Sequence, residues 1–305
     1  MSDRIRGVLA PVLTPFNKHY EPDTKGFINH CRWLVDNKAG LAIFGTNSEA
    51  ASLSVSERLN LTDAILEAGI PANKLMPGTG ACSISDAITL TGHAVKNGAA
   101  GTLMLPPFYF KGVLDQGLFN YYSEIIERVA NDKLRIYLYH IPQVSGVPIT
   151  LNLIEMLRKK YPNIVVGAKD SSGDWSNTEA MITNFGKDGF DVFPGSESFL
   201  LKALKIGGAG CISATANMNP AGINAVFEGW DQVQGEALQS YADVIRKIFQ
   251  ALPMIPAMKR YVAEVTGNPE WRVVRPPLTQ IDEEIAKKLL TDLNQAKFSM
   301  PNYPK

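Results

Sequence analysis

The sequence predicts an α/β protein, specifically a (β/α)8 TIM barrel with a C-terminal helical extension. Three observations predict it. Short apolar, β-branched runs recur at roughly 25-residue spacing, each followed by turn formers and then by a segment of helical apolar spacing. Eight such units fit into residues 1–217, and strand-like runs stop beyond Asn217. No Gly-rich phosphate loop follows the first run, as an open doubly wound sheet would require. A barrel of about 250 residues plus an extension also accounts for 305 residues without a second α/β domain. The expected division is therefore a barrel carrying the active site over 1–217 and a helical extension over 218–305.

The elements follow in order. Residues 5–13 are apolar up to Thr14–Pro15 and read as the first strand. Apolar residues at Phe27, Ile28, Cys31, Leu34 and Val35 make 24–35 a helix. Residues 41–44 form the second strand, and the turn Gly45–Thr46–Asn47–Ser48–Glu49 follows. Ser54 and Glu57 stand at capping-box spacing and open a helix running to about Ala68. A weak third strand is expected at 75–77 and a helix at 85–96. Strand four is 102–105, stopped by Pro106–Pro107. A helix over 114–129, strand five at 135–139 and a helix over 151–160 come next. The sixth strand, 164–170, carries Lys169 and Asp170 at its end. A helix over 175–184, strand seven at 191–193, a helix over 198–205 and strand eight at 210–213 complete the barrel. Helices are expected over 221–230, 235–251, 256–265 and 281–294.

Composition narrows the function. Lys+Arg and Asp+Glu number 30 each, which gives no basic surface for nucleic acid or an anionic membrane. No apolar run approaches a membrane span, and the N-terminus has no signal-peptide core. Cys31, Cys82 and Cys211 are widely spaced and odd in number. They point to a reducing cytoplasm, without a disulfide framework. The four histidines form no HxH or HxxxH pair, so no histidine metal site is expected from their spacing.

In a parallel barrel the C-terminal ends of the strands share one face, where distant residues converge. That face collects Thr46, Asn47 and Ser48 after strand two, Tyr109 after strand four, and Tyr139 and His140 after strand five. Lys169 follows strand six, Ser196 and Glu197 follow strand seven, and Ser213 ends strand eight. An amine beside a phenol suits Schiff-base chemistry on a carbonyl substrate. A barrel interior disfavours the ammonium and favours the neutral nucleophile. Tyr139 is one strand away, placed to shuttle protons, and the tight turn at Gly45–Ser48 offers N–H groups for a carboxylate. Plainer readings stand beside these. The GTNSE turn also reads as a lead into a capped helix with Glu49 solvated, Tyr109 as packing between Phe108 and Phe110, and His140 as a satisfied polar residue.

Gly45–Thr46–Asn47–Ser48–Glu49, Tyr139–His140–Ile141–Pro142 and Gly167–Ala168–Lys169–Asp170 together resemble the dihydrodipicolinate synthase / N-acetylneuraminate lyase family. That family carries a GTTGE- or GSTGE-like loop, a YNxP motif and a G-x-K segment; here Tyr139 and Lys169 stand thirty residues apart. The resemblance spans essentially the whole chain. It implies a class I pyruvate-dependent lyase or synthase without a cofactor, usually a homotetramer built as a dimer of dimers. Lys169 would form the imine with a 2-oxo acid. Tyr139 would be the acid/base, relayed through Thr46 and completed by Tyr109 from the neighbouring subunit. Thr46 and Asn47 would hold the substrate carboxylate, and Ile212 would line the site.

The sequence departs from the family pattern at His140, Ser48 and Asn47. In lysine-pathway members an arginine lies two residues after the YNxP proline and binds the aldehyde's carboxylate; Val144 stands there, and 143–150 has no cation. The resemblance therefore implies a 4-hydroxy-2-oxo or 2-keto-3-deoxy acid as substrate, with 4-hydroxy-tetrahydrodipicolinate synthase as the alternative. Its distal end is expected to be hydroxylated or aromatic, with His140, Ser196 or Glu197 as partners. A non-catalytic small-molecule sensor on the same fold is the third reading.

Overall fold

A computed structural model describes residues 4–304. Part of the N-terminal stretch read for a signal core, and Lys305 at the end of the extension, lie outside the described residues. Strands β1 (Gly7–Ala10), β2 (Gly40–Leu41), β3 (Thr102–Met104), β4 (Ile136–His140), β5 (Val165–Asp170), β6 (Asp191–Pro194) and β7 (Gly210–Ile212) are all parallel. Helices α1 (Thr24–Asp36), α2 (Val55–Glu67), α3 (Ile84–Lys96), α4 (Asp115–Val129), α5 (Pro142–Ser145), α6 (Leu151–Lys160), α7 (Trp175–Phe185) and α8 (Leu200–Lys205) alternate with them. Helices α9 (Pro220–Gly229), α10 (Gly235–Gln250), α11 (Met254–Thr266) and α12 (Glu283–Gln295) follow.

The ladders run β2-β1-β7 and β3-β4-β5-β6. Two links join them into the barrel. Ala209 N donates to Val192 O at 2.9 Å between β6 and β7. On the other side, Met76 N and Gly78 N donate to Leu41 O and Ile43 O at 2.8 and 2.7 Å, while Leu103 N donates to Pro77 O at 2.8 Å. The segment expected as the third strand is thus the eighth stave of the barrel, held by isolated bridges rather than a ladder. Pro77 is the physical reason, because it has no N–H to give. The second strand is shorter than expected for a related reason. Phe44 takes a left-handed conformation, φ 60°, which turns the chain into the loop at 45–49.

Alternation along the strands sorts side chains into two layers. Leu9, Ala42, Tyr137, Tyr139, Phe193 and Ile212 fill the interior, while Ile136, Leu138, Ala168 and Val192 pack outward against α4, α6 and α7. Gly167 is required here, since a Cβ would come within 2.5 Å of the Tyr137 ring. Ser54 and Glu57 form the expected capping box at the start of α2. Ala257, Met258 and Val262 of α11 and Leu289 of α12 share one apolar core with Val12, Leu13, Ile223 and Val226. Among the described residues, no helix is long and apolar enough to cross a membrane.

Candidate active site

Register places the two central groups. Tyr139 pairs with Lys169, and His140 with Asp170, across β4 and β5. From the Tyr137–Gly167 pair onward, odd positions of β4 and β5 face inward, so Tyr139 and Lys169 meet in the barrel while His140 and Asp170 turn toward the helices. Asp170 accepts from Ser172 N at 2.9 Å, Asn177 Nδ2 at 3.0 Å and Thr178 Oγ1 at 2.6 Å. It thereby fixes the strand end that carries Lys169. Gly195 lets the neighbouring loop close in, because a Cβ there would strike Ser171.

Lys169 and Tyr139 are nearly inaccessible, 3% and 2% exposed. Lys169 Nζ donates to Tyr139 Oη at 3.1 Å and lies 4.2 Å from the centre of that ring. Thr46 Oγ1 lies 3.1 Å from the same phenol oxygen. These three groups make a continuous hydrogen-bonded line. Burial alone pushes the Tyr139 phenol up. The charge of Lys169 and the hydrogen bonds from Thr46, Lys169 and Ser171 outweigh it and hold the phenol below its ordinary value.

The line sits at the wall of a cavity of about 740 Å³, also lined by Asn47, Ser196, Gln143, Arg246 and Lys247. Thr46 enters it from a one-turn 3-10 helix, Thr46–Ser48. Thr14 Oγ1 donates to Ser48 O at 2.8 Å and holds that turn down. Glu49, left-handed at φ 57°, holds it from the other side. Its carboxylate accepts from Lys259 Nζ at 2.6 Å and from Arg275 N at 2.9 Å. The solvated reading of Glu49 is therefore replaced by a buried anchor. At the start of the turn, the N–H groups of Thr46 and Asn47 make no hydrogen bond among the described residues.

Other expected residues lie elsewhere. Ser48 is fully buried under the turn, and Ile212 is buried in the interior core below. His140 is outside the cavity: its Nδ1 accepts from Ile149 N at 2.9 Å. Burial lowers the His140 imidazole, partly offset by the Asp170 charge. Glu197 lies behind the cavity wall, accepting from Ser213 and Thr215 hydroxyls and facing Arg246 Nη1 at 3.4 Å. Val144 is 63% exposed and does not line the cavity. Tyr109 is 75% exposed beside Phe110, away from the cavity of its own chain. Arg246 and Lys247 were missed by sequence reasoning. Their helix is amphipathic, and nothing in its pattern marks its polar edge as a cavity wall.

The barrel thus holds a buried lysine, a phenol and a hydroxyl in line at the wall of one cavity. A family model described as the dihydrodipicolinate synthetase family matches residues 4–296. A 4-hydroxy-tetrahydrodipicolinate synthase of Methanococcoides burtonii is 33% identical, covering 95% of this chain and 97% of that one. A probable 2-dehydro-3-deoxy-D-pentonate aldolase, YjhH of Escherichia coli, is 27% identical over 94% of this chain and 95% of its own. YagE, a prophage protein of the dihydrodipicolinic acid synthase family from E. coli, was solved in complex with pyruvate. It superposes with a TM-score of 0.87 at 25% identity, covering 97% of this chain and 99% of that one. The chain belongs to the dihydrodipicolinate synthetase family, a family of lyases and aldolases.

Proposed function

We propose that the protein is a class I lyase that forms a Schiff base through Lys169. Its substrate is pyruvate or a 4-hydroxy-2-oxo or 2-keto-3-deoxy acid, which it cleaves, condenses or dehydrates. The observation that carries the reading is the Lys169–Tyr139–Thr46 line at a cavity wall. Neutral Lys169 Nζ adds to the C2 carbonyl. Tyr139 protonates the departing hydroxyl, water leaves and a protonated imine remains. In cleavage, the phenolate then takes the C4 hydroxyl proton as the C3–C4 bond breaks toward the imine. The enamine so formed takes that proton back at C3 from Tyr139 and becomes an imine again, and hydrolysis of this imine restores the lysine and releases the shortened 2-oxo acid. The N–H groups of Thr46 and Asn47 and the Asn47 side chain are suited to the substrate carboxylate.

The same reading takes the protein as a cytoplasmic homotetramer, a dimer of dimers, that needs no metal or cofactor. Three free cysteines suit the first point. Exposed Tyr109, Phe110 and Leu114 suit the second, as an apolar surface for a second copy whose site Tyr109 would complete. Val144 contributes no charge, which ranks a 4-hydroxy-2-oxo acid above the lysine-pathway semialdehyde. The M. burtonii relative favours 4-hydroxy-tetrahydrodipicolinate synthase as a second reading. A sensor would have no use for a lysine hydrogen-bonded to a phenol in this way. The test is a comparison of kcat/KM for pyruvate release or dehydration from 4-hydroxy-2-oxo and 2-keto-3-deoxy acids with that for pyruvate plus aspartate semialdehyde. A higher value for the condensation overturns the ranking.

A further inference from the structure

The far wall of the cavity is positively charged. Arg246 and Lys247, adjacent on α10, both line the cavity that holds Lys169. Arg246 is largely buried, 12% exposed, and its aim is fixed on one side. Its Nε donates to Gln250 Oε1 at 3.0 Å, and its Nη1 lies 3.2 Å from Ser213 Oγ and 3.4 Å from Glu197 Oε2. Its Nη2 makes no hydrogen bond among the described residues, and Lys247 has no ion pair among them. The nearby carboxylates are already engaged. Asp170 accepts three hydrogen bonds on the outer layer, and Glu197 accepts from Ser213 and Thr215 behind the wall. One guanidinium edge and one ammonium are thus left at a cavity of about 740 Å³ whose own lining carboxylate, Asp170, is already engaged by three other donors.

We infer that Arg246, with Lys247 beside it, binds an anionic group at the distal end of the substrate, a carboxylate or a phosphate monoester. This rests on the Schiff-base reading above and narrows its substrate class to 4-hydroxy-2-oxo acids with a second anion. The 2-oxo acid's own carboxylate goes to the turn at Thr46 and Asn47, so the α10 cations remain for the other end. A planar guanidinium held by one edge presents the other in fixed geometry, which suits bidentate recognition of an oxyanion.

The test uses three 4-hydroxy-2-oxo acids of matched length, ending in carboxylate, phosphate or hydroxymethyl, and measures pyruvate release. Wild type is first reduced with borohydride in the presence of pyruvate. If no adduct forms, the Schiff-base reading fails and this inference fails with it. With the adduct formed, wild type is expected to prefer an anionic substrate by roughly 10- to 150-fold in kcat/KM, the range of a charge-assisted contact. The better of the two anionic substrates identifies the group. Arg246→Gln is expected to erase most of that preference through KM, and Arg246→Lys to restore part of it. Wild type favouring the hydroxymethyl substrate overturns the inference alone, whatever the variants do. So does an equal loss for all three substrates in Arg246→Gln, which would reduce Arg246 to a partner of Glu197.

Discussion

At the scale of single residues, the proposed chemistry turns on one phenol oxygen with two neighbours. Tyr139 Oη lies 3.1 Å from both Lys169 Nζ and Thr46 Oγ1. Tyr139→Phe is expected to retain the fold and lower kcat by roughly 10²–10⁴-fold, the usual yield of a positioned acid/base. Near-normal turnover in a folded variant would remove Tyr139 from the mechanism. The pH profile gives a finer check. The Tyr139 phenol is held below its ordinary value, and the Thr46 hydrogen bond is one of the lowering causes. Thr46→Val removes it, so the limb of kcat/KM governed by Tyr139 is expected to move to higher pH. The meeting of Lys169 and Tyr139 inside the barrel was legible in the sequence because strand ends fix both position and face. His140 was misleading for the same reason: one residue further along the strand, it looks away from the cavity.

At the scale of elements, the loop between β2 and α2 is anchored by a buried ion pair. Lys259 and Glu49 are both fully buried side chains, 2.6 Å apart and 210 residues apart in sequence. Burial lowers the Lys259 ammonium to about 8, although the Glu49 charge and hydrogen bond pull it up. Such a pair contributes little net stability when intact, but its disruption strands a buried charge. Lys259→Met is therefore expected to destabilise the protein by about 3–5 kcal/mol in urea unfolding. Adding Glu49→Gln should recover part of that loss. A single variant as stable as wild type would show that the pair does not anchor the loop. None of this was legible beforehand, since a Gly-initiated turn with a glutamate gives no sign of a distant buried lysine. The eighth stave of the barrel was half legible: its apolar residues are visible, but Pro77 denies it a ladder.

At the scale of the whole molecule, the end of the chain is tied back to the first helix and the barrel. His30 Nδ1 and Nε2 lie 2.9 Å from Tyr303 Oη and Asn217 Oδ1. Burial lowers His30 to about 4, with only partial opposition from Asn217. The unfolded chain has the ordinary value near 6.5 and so binds this proton first as pH falls. Above about pH 6.5 the native state bears no penalty, and between about 6.5 and 4 it loses stability, up to about 3 kcal/mol. Urea midpoints should therefore fall across that window, and less so in His30→Gln. A wild-type midpoint independent of pH there would refute the assignment. The barrel itself was legible from strand spacing. The tie at His30 was not, because it joins residues 273 positions apart.

The central claim is that Lys169 is the amine that captures the 2-oxo acid, and borohydride reduction in the presence of pyruvate measures it most directly. Intact mass should show one reduced pyruvate adduct per chain, peptide mapping should place it on Lys169, and Lys169→Ala should not be labelled. An adduct on another lysine, or undiminished labelling of the folded variant, would contradict the account.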